Sequence, residues 1–250
     1  MDNAQQTARW YDENADDYTR HVRDSNDSVW HHYYEKPAMY ALLPDDMSGM
    51  KVLSLGCGSG EDCHEMAKRG ATVVGVDISE KLIEKAREAY PESEYHVKDM
   101  QKLDFEDEQF DIVYSSLAVA YLDDWSELLN GVIKVLKQNG VFQFSMGHPT
   151  ATAMEEFDVS EKSKSKGLVR IKTNGKQVFH GDYFGKREIV ALSTNMAGVV
   201  NFHKTIQAVC DLCIEAGLRL ERIVEPQPLP EMEKINPGAY EKLSKFPDFI

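Results

Sequence analysis

A chain of 250 residues with 42% hydrophobic and 28% charged side chains can bury one sizeable core, which excludes a disulfide-stapled miniprotein, a fibrous chain and a disordered one. Twenty-eight basic against 42 acidic residues give a formal charge of −14. That charge repels phosphate backbones and anionic lipid, and argues against nucleic-acid and membrane partners.

The opening segment, MDNAQQTARWYDENADDY, has neither the basic flank nor the apolar run of a signal peptide, and no stretch approaches the roughly 20 apolar residues that span a bilayer. A cytoplasmic location is expected. Residues 1–48 carry an aromatic run, Trp30-His31-His32-Tyr33-Tyr34, and read as a helical, aromatic lid. From 49 to 148 short apolar runs alternate with amphipathic segments, the pattern of βαβ units and a parallel sheet. Strands are predicted at Val52–Leu55, Thr72–Val76, Glu94–Val97, Asp111–Ser115 and Val141–Ser145. Before the last of these, Trp125, Leu128, Leu129, Val132, Ile133 and Leu136 recur at helical spacing, with Gly140 as the stop. The acidic run Asp104–Asp111 has no companion set at ligand spacing, so it reads as a solvated loop, and no metal is expected.

Residues 149–202 break the rhythm. SEKSKSKG reads as a polar loop, and LVRIKT and KQVFHG flank Asn174-Gly175, a strong hairpin signal. A small β-rich cap inserted in the fold and an ordinary surface hairpin both fit. Residues 203–250 supply a helix carrying Ile206, Val209, Cys210, Cys213 and Ile214, stopped at Gly217, and then the strand-like LRLERIVEP. Cys210 and Cys213 lie inside the apolar stripe and read as core packing. With Cys57 and Cys63 they make four thiols, too few for a disulfide framework.

The chemistry concentrates in VLSLGCGSGE. A strand entering Gly56-Cys57-Gly58-Ser59-Gly60 and leaving into a helix brings main-chain N–H groups against a ligand without Cβ obstruction, although a ligand-free tight turn has the same signature. Asp77 ends the next strand, about twenty residues on, where an acid accepts ribose hydroxyls; capping the helix that begins near Ser79 is the alternative. Asp99-Met100 then places another acid at the carboxyl edge of the third strand.

These features resemble the class I S-adenosylmethionine-dependent methyltransferases, specifically the small-molecule group with a UbiE-like core. The resemblance runs from Trp10 to Pro230 and is most specific between Val52 and Ser145. It implies an α/β, Rossmann-like, seven-stranded doubly wound sheet, with its last strand antiparallel and cut short at FPDFI. It further implies that Gly56, Cys57, Gly58 and Gly60 wrap the methionine part of the cofactor, that Asp77, with Ile78 beside it, holds the ribose, and that Asp99 and Met100 read the adenine. Ser115 and Leu117, in a segment like the family's fourth motif, and Tyr34 complete the expected cofactor shell. Ser54 departs from the family, which has an acid at that position of the first strand.

The expected activity is methyl transfer from S-adenosylmethionine to a small-molecule acceptor, releasing S-adenosylhomocysteine. Tyr33, Tyr121 and His148 are the expected substrate side. His148, after the fifth strand, lies nearest the predicted methyl and is a candidate base; a loop-stabilising histidine is the alternative. His203 resembles a family position facing the site from the cap, and is the second catalytic candidate. Two rivals remain: a non-catalytic sensor or scaffold that binds the same cofactor, and a nicotinamide-dependent oxidoreductase. The latter wants a small residue where Glu61 stands.

Overall fold

A computed structural model describes residues 3–160, 163–167, 169–173, 176–185, 188–190 and 199–250. Helices α1 (Asn3–Glu13) and α2 (Ala15–Arg23) open the chain, and a π-helical turn, His31–Glu35, runs unbroken into α3 (Lys36–Tyr40). Helix α2 carries Asp16 and Asp17 in its first turn and Arg20, His21 and Arg23 in its last, matching its dipole at both ends.

The alternating segment then folds as β1 (Lys51–Leu55), α4 (Glu61–Lys68), β2 (Thr72–Asp77), α5 (Glu80–Ala89), β3 (Glu94–Val97), β4 (Phe110–Ser115), α6 (Ser126–Val135) and β5 (Leu136–Phe144). All five strands are parallel, in the order β3-β2-β1-β4-β5. The central strands are apolar nearly throughout because both faces are covered. Leu53 and Leu55 pack with Val113 and with Leu128, Leu129 and Val132 of α6, while Val52 meets Met66 of α4 and Ile83 and Ala86 of α5 on the opposite face. Trp125 is fully buried against Phe144, and truncating such a ring to alanine costs about 3–5 kcal/mol. The chain reverses direction across the sheet between β1 and β4. Open α/β sheets bind ligands outside the carboxyl ends of the strands at such a switch point.

Helix α6 stops at Val135 instead of continuing to Gly140, and β5 starts at Leu136. Leu136 is already extended, at φ −71 and ψ 135, and pairs with Phe110 across a bulge that separates it from the regular register at Ile112↔Val141. A Cβ on Gly140 would come within 3.0 Å of the Lys137 carbonyl oxygen, so its glycine serves this close approach.

Beyond β5 come α7 (Pro149–Thr152), β6 (Glu155–Ser160), β7 (Ser163–Gly167), β8 (Val169–Thr173), β9 (Lys176–His180), β10 (Glu188–Val190) and β11 (Val200–Phe202). Three antiparallel ladders, β6–β7, β8–β9 and β10–β11, stand apart from the main sheet. Most of SEKSKSKG is thus strand, not loop: backbone pairing to β6 organises a segment that has no apolar face to announce it. The Asn174-Gly175 turn lies outside the described residues, although the flanking Thr173 and Lys176 pair as a hairpin requires.

Helix α8 (Ile206–Glu215) starts where the Thr205 hydroxyl accepts from the Ala208 N–H at 3.1 Å, and is followed by Gly217 at φ +94. Cys213 joins the core, and all four thiols are free. LRLERIVEP forms no strand, so among the described residues the main sheet has five strands where seven are expected. With the open edge of β5 that segment walls a groove of about 1590 Å³. Helices α9 (Glu231–Ile235) and α10 (Pro237–Leu243) then return the chain to β5, where Met146 and Ile250 exchange backbone hydrogen bonds of 2.9 and 3.0 Å and Gly147 bridges Phe249 antiparallel. No described helix is long and apolar enough to cross a membrane.

Candidate functional site

At the end of β1 the backbone turns through Gly56, Gly58 and Gly60 with φ of +63, +55 and +93. The conformation favours glycine, and so does the space: a Cβ at 56 would sit 2.5 Å from Ala118 Cβ, and one at 60 would sit 2.8 Å from the Tyr95 hydroxyl. Cys57 donates its N–H to Val76 O at 3.0 Å, tying the loop to β2.

Asp77 closes that strand. Its two oxygens accept from Gly58 N and Ser79 N, each at 2.9 Å. Burial raises its pKa, and the N–H groups of Ser79, Gly58 and Ile78 oppose the rise. A carboxylate offers about four lone-pair sites, so capacity for a ligand hydroxyl remains beside these N–H groups. Asp77 therefore buttresses the glycine loop as well as facing the edge, a double task that spacing alone does not reveal.

Asp99 is half-buried, with one oxygen accepting from Gln101 N at 2.9 Å, and Met100 reaches back until its Cε is 3.5 Å from where a Gly56 Cβ would stand. On the other side of β1, the Ser115 hydroxyl donates to Leu55 O at 3.2 Å. Leu117 adopts a left-handed φ of +54, uncommon for leucine, and its N–H donates to the Ser145 hydroxyl at 3.0 Å. Glycine loop, Asp77, Asp99-Met100, Ser115 and Leu117 thus gather at one edge, with half-buried Ile78 next to Asp77.

Helices α1 and α2 cover this edge with aromatic rings. The Tyr11 and Tyr121 hydroxyls are 2.6 Å apart, Tyr11 and Tyr18 meet edge to face, and the Tyr18 ring lies 3.5 Å from the Cβ position of Gly58. Burial raises the pKa of all three phenols, that of Tyr121 to about 12, and the Asp77 charge adds to each rise. Tyr121 therefore belongs with the cover over the glycine loop.

Four other expected residues sit elsewhere or are already engaged. Tyr34 is fully buried with Met232 and Leu243, and its hydroxyl accepts from Asp248 N at 3.0 Å, so ring and hydroxyl are engaged with the carboxyl-terminal segment. Tyr33 packs against the same cluster, since its backbone is tied to Leu229 N. His148 caps α7: its Nδ1 accepts from Thr150 N at 3.2 Å, and Nε2 lies 3.1 Å from Glu225. His203 is equally committed, with Nδ1 2.6 Å from the Thr152 hydroxyl and Nε2 2.9 Å from Tyr183 O. Both rings thus tie together described elements on either side of the cap ladders, His148 to Glu225 and His203 to Thr152 and Tyr183.

One residue escaped the sequence reading. Glu35, the acid directly after the aromatic run, lies 1% exposed over the ends of β4 and β5. Its Oε1 accepts from the Ser116 and Ser145 hydroxyls at 2.9 and 2.5 Å, and its Oε2 has no partner. Burial, and then the charge of Asp62, push its pKa up to about 7. Among the described residues no group of three or more His, Cys, Asp and Glu side chains is arranged to hold a metal ion.

Residues 53–144 match the family model described as a methyltransferase domain. An S-adenosylmethionine-dependent methyltransferase from Mesorhizobium loti superposes with a TM-score of 0.68 at 30% identity, covering 86% of this chain and 94% of that one. A structure described as a putative S-adenosylmethionine-dependent methyltransferase from Listeria monocytogenes gives 0.69 at 25% identity, covering 86% and 93%. Magnesium-protoporphyrin O-methyltransferase of Rhodobacter capsulatus is 37% identical over 94 residues, 36% of this chain and 39% of that enzyme, so this match spans well under half of the relative's length. With the site geometry, these likenesses lead to one assignment: the chain belongs to the S-adenosylmethionine-dependent methyltransferases and is an enzyme of that family.

Proposed function

We propose that the carboxyl edge over β1–β4 binds S-adenosylmethionine and that the protein transfers its methyl group to a small-molecule acceptor, leaving S-adenosylhomocysteine. The observation that carries this reading is the bond between Gly58 N and Asp77 in a loop of three left-handed glycines, a cradle that side chains would fill. Asp77 would take the ribose hydroxyls, Asp99 and Met100 the adenine, and Gly56 to Gly60 with Ser115 and Leu117 the methionine part. When bound, the donor supplies a methyl group on cationic sulfur, already activated for displacement. The chain's own task is then orientation and exclusion of water, and orientation can be worth about 7–11 kcal/mol. Tyr11, Tyr18 and Tyr121 exclude water from the edge, and no metal is assigned a step.

A nicotinamide cofactor is disfavoured because Glu61, which stands where its loop needs a small residue, is bonded to Arg23 at 2.7 Å and to the Ser59 hydroxyl. The four free cysteines suit the reducing cytosol. We divide the chain into a lid (1–48), a core (49–148 and 203–250) and a cap (149–202). The sheet is completed along the groove beside β5, where the antiparallel pairing at Met146 and Ile250 and the run of residues 218–226 along the groove wall support sixth and seventh strand positions.

Calorimetry with S-adenosylmethionine and S-adenosylhomocysteine tests the premise, and no heat of binding at millimolar ligand would sink it. The acceptor is then identified by mass, after incubation with an isotopically labelled methyl donor and a small-molecule extract.

A further inference from the structure

The carboxyl of Glu35 is an unbalanced charge in a closed site. Around it stand Lys36 and Tyr40 from α3, Asp62 from α4, Tyr114 and Ser116 from β4 and its following turn, and Ser145 beyond β5. Lys36 Nζ is 3.1 Å from Asp62, which also accepts from the Tyr40 hydroxyl. His31 adds no charge at neutral pH, because burial and the nearby Lys36 lower its pKa to about 4. Two carboxylates therefore share one ammonium, and the oxygen left over, Glu35 Oε2, lacks a hydrogen-bond donor. Buried charges are ordinarily paired, so this arrangement is one donor-bearing cation short.

Resting on the cofactor reading above, we propose that Glu35 receives the α-ammonium group of the cofactor's methionine part. S-adenosylmethionine brings two cations, a sulfonium and an ammonium, and only the ammonium carries N–H groups to give to Oε2. Glu35 stands over the ends of β4 and β5, beyond the glycine loop on the side away from Asp77, where the end of the ligand opposite the ribose would lie. Ser54, in the strand entering that loop, is buried and carries no charge to do this work.

Three ligands separate the possibilities. S-adenosylhomocysteine keeps the ammonium and loses the sulfonium charge, and 5′-methylthioadenosine lacks the amino-acid portion. Calorimetry on the full chain should show Glu35→Gln weakening both S-adenosylmethionine and S-adenosylhomocysteine by at least about tenfold, with 5′-methylthioadenosine unchanged. Because the ammonium needs the ionised carboxylate, affinity of the unmodified protein for S-adenosylhomocysteine should rise about tenfold between pH 6 and pH 8. Binding at pH 7 should also release about half a proton, read from buffers of different ionisation enthalpy. A protein in which Glu35 only braces the strands would show neither effect. Unchanged S-adenosylhomocysteine binding in Glu35→Gln overturns the proposal, and a loss confined to S-adenosylmethionine reassigns Glu35 to the sulfonium. Should the variant not fold, the proton count on the unmodified protein decides, and zero release refutes the proposal. Failure of the unmodified protein to bind either adenosyl ligand removes the cofactor reading itself.

Discussion

The two halves of the carboxyl edge are built by different means. Over β1, β2 and β3 the site is made of backbone and of acids that end strands: left-handed glycines, the Asp77 brace on Gly58 and the Asp99 turn. Every part lies in or next to a strand end, and its place follows once the sheet forms. Over β4 and β5 the polar groups come from distant parts of the chain. Glu35 meets Ser116 and Ser145 across 81 and 110 residues, and His148 meets Glu225 across 77. A shared cofactor can be held by the first kind of construction, which varies little with its ligand. The second kind depends on how amino-terminal, central and carboxyl-terminal segments of the chain converge, and no local pattern announces it.

The largest effect is expected at the backbone-built half. Gly56→Ala must hold an alanine at φ +63 and press its Cβ to within 2.5 Å of Ala118 Cβ, for a combined cost of about 3–4 kcal/mol in urea unfolding. Adding Ala118→Gly relieves the contact but not the dihedral, so about half the loss should return as coupling in a double-mutant cycle. An unperturbed Gly56→Ala protein would mean that the loop is not held rigidly, and the contrast between the halves would weaken.

On the other half, Glu35 makes stability depend on pH in the sense opposite to a salt-bridged acid. Its carboxyl loses a proton near 4.5 when unfolded but near 7 when folded. Between these values the folded state holds a proton that the unfolded state does not, so stability falls as pH rises from about 4.5 through 7. Glu35→Gln removes this penalty. The ligand-free variant should gain about 3 kcal/mol over the parent at pH 8 and under about 1 kcal/mol at pH 5. An equal difference at both pH values would show that the carboxyl titrates normally, and the buried charge would no longer distinguish this half.

The same contrast governs what the sequence discloses. Glycine spacing and acids at strand ends are visible because chemistry and secondary structure share one short stretch, as in VLSLGCGSGE and TVVGVD. Strands β1, β2 and β4 are legible for the same reason, since each is a short, largely apolar run. The start of β5 is hidden because LKQNG continues the helical spacing while its backbone has already turned extended at Leu136. Strand β7 is hidden because serine and lysine alternate without an apolar face. Glu35 is one acid among 42 acidic residues, and only the fold shows that its neighbours leave one oxygen unpaired. Tyr34 attracted notice as an aromatic, yet its environment is set by Met232, Leu243 and Phe249, some 200 residues away.

His148 offers the finest test, because its position by the fifth strand suits a catalytic base while its contacts suit a cap. Replacing it with alanine removes the acceptor for Thr150 N and the link to Glu225, at a cost of about 1–2 kcal/mol. His148→Asn keeps a good capping side chain and should recover roughly half of that loss. Affinity for S-adenosylhomocysteine should stay within about twofold in both variants, because the ring is bonded to Thr150 and Glu225 and to none of the glycine-loop or strand-end residues. If instead His148→Ala leaves the unfolding midpoint unchanged while methyl transfer to the identified acceptor falls tenfold or more, the ring acts on the reaction. In that case the turn after β5 that carries His148 contributes directly to the chemistry, and the contrast between a half fixed by local backbone and a half assembled at long range has to be redrawn around it.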